Sequence, residues 1–403
     1  MSVTPSTYRD KGKYLIIIVL LLGLFLRLHY IANTEFEPVN WDQKNYTNMA
    51  IQIIEKGIYG YLREESNTLV TPGFPIFLVG VFSIFGYSDI QETHMIVRYI
   101  HAFMSIIYMW LIYRIGQELF NRPTGLLAAL CAAVYGTYVW MASLILTETI
   151  FLTSFLALLY FQVRILKYNH FLDHIWGGIL LGITVLIRPN AIIIAATPYI
   201  FLMIRHRRIL FRQIIWGVST FAVVMLPWWI RNIITFHELI LVSKGGSANP
   251  FLGGTDPYLK GTIPWNNIKP EDEMAEGIRR VKEGFRTDPW LWIKWYTIGK
   301  INNMFIKTMY LGPYPSFVPY WYEKCLKGLH YALVYFGFAG GFLASFWNRN
   351  ALFLYINFLL FLGVQLLFIP EARYTIGMMP FLMILCAYLA QLVCRGVVHL
   401  VRR

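Results

Sequence analysis

A soluble domain of 403 residues would clothe its surface in charge, yet this chain is 57% hydrophobic and only 14% charged, which excludes an ordinary soluble fold. Its formal net charge of +13 invites a nucleic-acid partner, but the distribution of that charge points to membrane orientation instead. Four cysteines, Cys131, Cys325, Cys386 and Cys394, show no metal-site spacing and define no disulfide framework.

Apolar runs of roughly 18 residues or more recur along the whole length, the mark of a polytopic α-helical membrane protein. Taken in order, spans are predicted near 14–32, 94–113, 123–140, 143–163, 174–187, 190–204, 213–230, 327–346, 351–369 and 376–394. The first follows Arg9, Lys11 and Lys13 with no small-residue cleavage site after it, and reads as a retained signal anchor. The stretch 72–88 is short and opens Pro-Gly-Phe-Pro, so it reads as a helix along the outer interface rather than a span.

Ten spans put both termini on one side. The inner segments then hold 15 of the 35 Lys and Arg but only 3 of the 22 Asp and Glu, as the positive-inside rule requires. The high isoelectric point is thereby explained without nucleic acid, and the expected location is a bacterial cytoplasmic membrane, crossed many times.

Three regions follow: an N-terminal transmembrane module, 1–230, containing a first outer loop at 33–93; an outer loop region, 231–326; and C-terminal transmembrane helices, 327–403. The second outer region holds the pairs Gly245-Gly246 and Gly253-Gly254 and the acidic run Glu271-Asp272-Glu273. It also holds an amphipathic, Trp-rich segment, Pro289 to Met304, expected to rest on the membrane surface. No internal repeat is evident.

In the first outer loop, Asp42, Tyr46, Met49 and Ala50 have helical spacing, which puts a carboxylate and a phenol on one face just beyond the first span. Such a carboxylate can be a general base or simply a helix cap. Arg98, Arg188, Arg231 and Arg373 fall near outer span ends, where they either bind an anion or snorkel to lipid headgroups; for Arg188, in a Pro-containing turn, a structural kink is the alternative. Glu148, near the outer end of the fourth span, needs a partner, as a site residue or in a structural ion pair. Lys244, Asn249 and Asp256 are candidates for substrate contact in the second outer region. No His/Asp/Glu cluster has ligand spacing; no cofactor is required, and a divalent metal is compatible with the chemistry. The sequon Asn45-Tyr46-Thr47 is a three-residue match of little weight.

Several of these segments together resemble a family. Asp42-x-x-x-Tyr46-x-x-x-Ala50, Gly57-Ile58-Tyr59 and Thr71-Pro72-Gly73-Phe74-Pro75 resemble the first periplasmic loop of GT-C glycosyltransferases, notably the protein O-mannosyltransferase and lipid A aminoarabinose transferase group. In the same order follow Glu118 to Leu126, Leu146-Thr147-Glu148, Leu186-Ile187-Arg188-Pro189, Leu226 to Asn232 and Ala372-Arg373-Tyr374. The resemblance covers most of 14–400 and implies a GT-C-like bundle of about ten transmembrane helices.

It also implies a polyprenyl-phosphate sugar donor, a site at the outer membrane face, and an acid of the first loop at the catalytic centre, which by motif position is Asp42. Many relatives carry a second acid next, where this chain has Gln43. The expected reaction is inverting sugar transfer to an acceptor, be it protein, lipid or wall polymer. Asp42 acts as base, Arg373, Arg188, Arg231 and Arg98 meet the phosphate, and Tyr46, Glu148, Tyr374 and Lys244 contact substrate. The rivals are a transporter or flippase of lipid-linked sugars, which should show repeat symmetry, and an assembly partner in a cell-wall complex.

Overall fold

The computed structural model describes residues 6–307 and 320–401, and those residues form helices and connecting loops with no strand. Residues 308–319 of the 231–326 region, and Arg402 and Arg403, lie outside the described residues. In chain order the helices are α1 (Ser6–Ala32), α2 (Trp41–Lys56), α3 (Gly73–Phe85), α4 (Ile90–Leu119), α5 (Arg122–Val134), α6 (Gly136–Met141), α7 (Glu148–Tyr168) and α8 (Phe171–Ile187). A 3-10 stretch, Pro189–Ile194, leads to α9 (Thr197–His206), α10 (Phe211–Phe236), α11 (Ala248–Gly253), α12 (Glu273–Thr287) and α13 (Pro289–Lys294). Two π turns, Trp295–Gly299 and Asn303–Lys307, flank the short α14 (Lys300–Asn302). The chain ends with α15 (Tyr320–Ser345), α16 (Arg349–Gln365) and α17 (Met379–Val401).

Among the described residues, five helices are long and apolar enough to cross a membrane: Tyr14–Ala32, Ile90–Leu119, Glu148–Tyr168, Phe211–Phe236 and Met379–Gly396. Shorter apolar helices, α3, α5, α8 and α16, add to them. The chain is a multi-pass helical membrane protein.

Three predicted segments differ in form. The run 123–140 is broken at Tyr135, between α5 and α6. A helix that stops inside a bundle leaves its last carbonyls without partners. Arg27 of α1 supplies them: its guanidinium, fully buried, donates to Ala132 O at 3.1 Å and Ala133 O at 3.0 Å, and its Nε donates to the Tyr108 hydroxyl at 3.0 Å. The run 143–163 begins as a helix only at Glu148, an acid in a first turn, where the helix dipole favours negative charge. The run 190–204 is a 3-10 stretch followed by the ten-residue α9, about 15 Å of helix and too short to span. The interfacial helix expected at 72–88 is α3, which packs on α2, α4 and α8 and buries Phe74 and Leu78 completely.

Caps mark several boundaries. Asp89 accepts from the amides of Gln91 and Glu92 at the start of α4, Asn121 from Thr124 at α5, and Asn348 from Asn350 and Ala351 at α16. Helices α4, α5, α7, α16 and α17 enclose the main core, in which Phe155 meets Phe361 at 5.1 Å and the edge of Phe381 at 6.0 Å. One end of this bundle gathers α2, the start of α7, the end of α8 and the turn between α16 and α17, and the polar cavity opens there.

Candidate functional site

The cavity holds about 290 Å³ and is walled by six parts of the chain: α2, the loop 69–71, the start of α7, the end of α8, residues 243–250 and the α16–α17 turn. Local sequence explains how these parts meet. Thr71 donates to Ile187 O at 3.0 Å, and a side chain at Gly73 would collide with Leu186 and Ile187, so the Thr-Pro-Gly motif lets α3 begin directly on the end of α8. A side chain at Gly246 would likewise strike the Leu69 carbonyl, while the Lys244 amide donates to Thr68 O at 3.1 Å. The Gly245-Gly246 pair thus closes the second loop region onto the first.

Asp42 is the second residue of α2, after Asn40 at the cap position, so it is not spent on capping. Its Oδ2 accepts from Arg373 Nη1 at 3.0 Å and its Oδ1 from the Tyr61 hydroxyl at 3.0 Å. Arg373 comes from the 3-10 turn Ala372–Thr375, 331 positions away in sequence. Its Nε lies 2.6 Å from Glu371 Oε2 as a charge pair, yet the N–H is not aligned on any acceptor. By proximity this is an ion pair and by angle it is not a hydrogen bond. Burial alone would lower the Arg373 pKa; the neighbouring side chains of Tyr374, Glu148 and Glu371 and the bond to Asp42 outweigh it and hold the guanidinium charged.

The second charged pair lies across the cavity. Arg188, extended at the end of α8, donates from Nη2 to Glu148 Oε1 at 2.6 Å and from Nε to Thr147 Oγ1 at 2.7 Å. Glu148 is 1% exposed, and a carboxylate so buried persists only with its partner in place. Tyr46 lines the cavity between Tyr61, at 5.1 Å, and Phe74, edge-on at 5.0 Å; burial pushes its phenol pKa up. Tyr374 lines the cavity as well.

The cavity therefore brings together Asp42, Tyr46, Glu148, Arg188, Arg373 and Tyr374, and leaves the other expected site residues elsewhere. Arg98 is buried with its Nε on Ser143 O at 3.0 Å and its guanidinium 3.9 Å over the Phe36 ring. Arg231 donates to Asn67 O at 3.2 Å and Tyr59 O at 3.3 Å and stacks on Tyr59. Neither lines the cavity: each ties a loop, because a guanidinium satisfies several carbonyls at once. Lys244 is exposed and paired with Glu238; Asn249 donates to Glu273 Oε1 at 3.0 Å; Asp256 accepts from the amides of Gly261 and Thr262.

Sequence reading missed Tyr61, which touches Asp42 across 19 positions, and Gln43, whose Oε1 accepts from the Ile145 amide at 2.9 Å and fixes the approach to α7. Neither has a local signal. Among the described residues, no three His, Cys, Asp or Glu gather as a metal site. A second cavity, about 370 Å³ between α7, α8, α9 and α10, has an almost wholly apolar lining with no charged group.

A family model described as dolichyl-phosphate-mannose-protein mannosyltransferase matches residues 70–230. No curated protein matches the chain. Among solved structures, the archaeal oligosaccharyltransferase AglB from Archaeoglobus fulgidus, in complex with an inhibitory peptide and a dolichol-phosphate, is similar with a TM-score of 0.59 and 14% identity over 98% of this chain and 51% of that one. The Archaeoglobus fulgidus oligosaccharyltransferase tethered to an acceptor peptide gives 0.60 and 14% over 97% and 50%. ArnT from Cupriavidus metallidurans, bound to undecaprenyl phosphate, gives 0.43 and 13% over 96% and 78%. The chain spans about half the length of the oligosaccharyltransferase structures it matches. The likeness is one of fold: this chain has the GT-C membrane fold of the archaeal oligosaccharyltransferase, with a mannosyltransferase-family match across residues 70–230.

Proposed function

We propose that the chain is a glycosyltransferase that moves a sugar from a polyprenyl-phosphate donor to an acceptor hydroxyl, with inversion, at the outer face of the membrane. One observation carries the reading: a carboxylate of the first loop and a guanidinium of the last turn meet at 3.0 Å in the wall of a polar cavity at the end of a membrane bundle. In support, AglB was solved with a dolichol-phosphate.

In this reading the donor phosphate lies between Arg373 and Arg188. The acceptor hydroxyl takes the position on Asp42 Oδ1 that Tyr61 fills in this structure. The hydroxyl oxygen attacks the anomeric carbon as the bond from that carbon to the phosphate oxygen breaks. Asp42 takes the hydroxyl proton, and the leaving phosphate goes from a singly charged diester to a more highly charged monoester. The arginines meet that added charge, and they serve the reaction to the extent that they hold it better in the transition state than before. A divalent ion is a possible addition, assayed by chelation.

The test is to supply membranes containing the chain with labelled polyprenyl-phosphate sugars and to identify the fraction that gains label. Transfer to an acceptor is expected, and Asp42→Asn is expected to cut its rate by about 10²–10⁴-fold at equal expression. Label carried across the membrane but never transferred would favour the flippase reading, and an unchanged rate in Asp42→Asn would remove that residue as base.

A further inference from the structure

Lys300 is fully buried, and among the described residues it forms no ion pair with a carboxylate. Its Nζ donates to Leu366 O at 2.7 Å and Phe368 O at 3.0 Å, and it sits 3.8 Å over the Tyr296 ring. Burying an ammonium ion without a counter-ion is costly, and an apolar side chain of the same length would fill the space without that cost. What the ammonium gains here is the end of a helix. Leu366 caps α16, so its carbonyl belongs to the negative end of the helix dipole and has lost its helical partner.

The next alternate carbonyl is held as well. Asn303 donates from Nδ2 to Pro370 O at 3.1 Å, so the carbonyls of residues 366, 368 and 370 are all taken from one side. From the other side, the Ile369 amide donates to Pro250 O at 2.8 Å. Trp295 locks the frame by donating from its indole to Gly254 O at 2.9 Å, and a side chain at Gly254 would strike Phe368. Trp295, Lys300 and Phe305 are all buried along this segment, in which two π turns flank α14.

The turn held in this way begins where α16 ends and leads into Arg373. Gln365 and Phe368, on and beside the run, line the cavity with it. We infer that Lys300, with Asn303, is a positioning residue for phosphate binding: the second loop region straps the 366–370 run by its carbonyls and so fixes where Arg373 meets a lipid phosphate. The inference rests on the reading of the cavity as a polyprenyl-phosphate site. Lys300 touches neither the cavity nor Asp42; it acts through the turn.

The probe is undecaprenyl phosphate, titrated into the full chain in lipid nanodiscs. Lys300→Met should weaken binding about ten-fold, the worth of one hydrogen-bond pair involving a charged group. In an Arg373→Gln background the same change should add nothing, because the residue it positions is gone. Equal weakening in both backgrounds, or none in either, would overturn the inference. Asn303→Leu provides a second route to the same coupling if Lys300→Met does not fold. Amide exchange separates this failure from failure of the parent reading: Lys300→Met should speed exchange at residues 366–374 and not within α17, whether or not the lipid binds. Unchanged exchange at 366–374 would sink the strap, and a wild-type chain that ignores undecaprenyl phosphate would sink the donor site.

Discussion

Two pairs of arginines, Arg98 with Arg231 and Arg188 with Arg373, carry the same mark in the sequence, and the fold spends them differently. The first pair gives its N–H groups to backbone carbonyls and lays its planes on aromatic rings. The second pair faces carboxylates in the wall of a cavity. A guanidinium tied to loop carbonyls holds the backbone in place, so the tie is structural. A carboxylate partner can be exchanged for another anion, because the incoming phosphate makes the same charge-assisted bonds. The difference between a structural and a binding arginine is thus what its donors hold, rather than how deep it lies.

Within the second pair the two members also differ. Glu148 is 1% exposed beside Arg188, whereas Asp42 is 43% exposed beside Arg373. The first is the stiffer bridge and the second the more exchangeable one. Glu148→Gln leaves a buried guanidinium uncompensated and should cost about 3–5 kcal/mol of stability, read as a lowered unfolding midpoint in nanodiscs; an unshifted midpoint would put Arg188 in the exchangeable class. Arg98→Met should cost about 1–3 kcal/mol by stranding the Ser143 carbonyl, with lipid-phosphate affinity per folded molecule unaltered. A loss of affinity there would erase the distinction between the pairs. Lys244→Ala should be nearly silent, within about 0.5 kcal/mol, since its ion pair with Glu238 is solvent-exposed on both sides; weakened binding would return it to the site.

The helices were legible because an apolar run long enough to cross a bilayer has few other uses. Each of the ten predicted runs overlaps helical chain, although 123–140 and 190–204 are divided and 143–163 turns helical only at Glu148. Those divisions had no local signal strong enough to read. The break at Tyr135 depends on Arg27, more than 100 positions away, to satisfy the carbonyls it exposes. The segment Pro289 to Met304, expected to rest on the membrane surface, contains the π turn Trp295–Gly299 and the start of a second, Asn303–Lys307, buries Trp295 and Lys300 and leaves Trp290 and Ile298 exposed. At the cavity, motif order pointed to Asp42, Glu148, Arg188 and Arg373. Tyr61 and Gln43 could not be found that way, because what matters about them is which distant group they touch.

The most direct measurement is the affinity of the full chain for undecaprenyl phosphate in nanodiscs, compared between Arg373→Ala and Arg231→Ala. The account predicts that Arg373→Ala weakens binding by about one to two orders of magnitude, the loss of charge-assisted bonds to phosphate, while Arg231→Ala leaves the affinity of the folded fraction where it was. Equal affinities for wild type and Arg373→Ala, or a larger loss in Arg231→Ala, would contradict it.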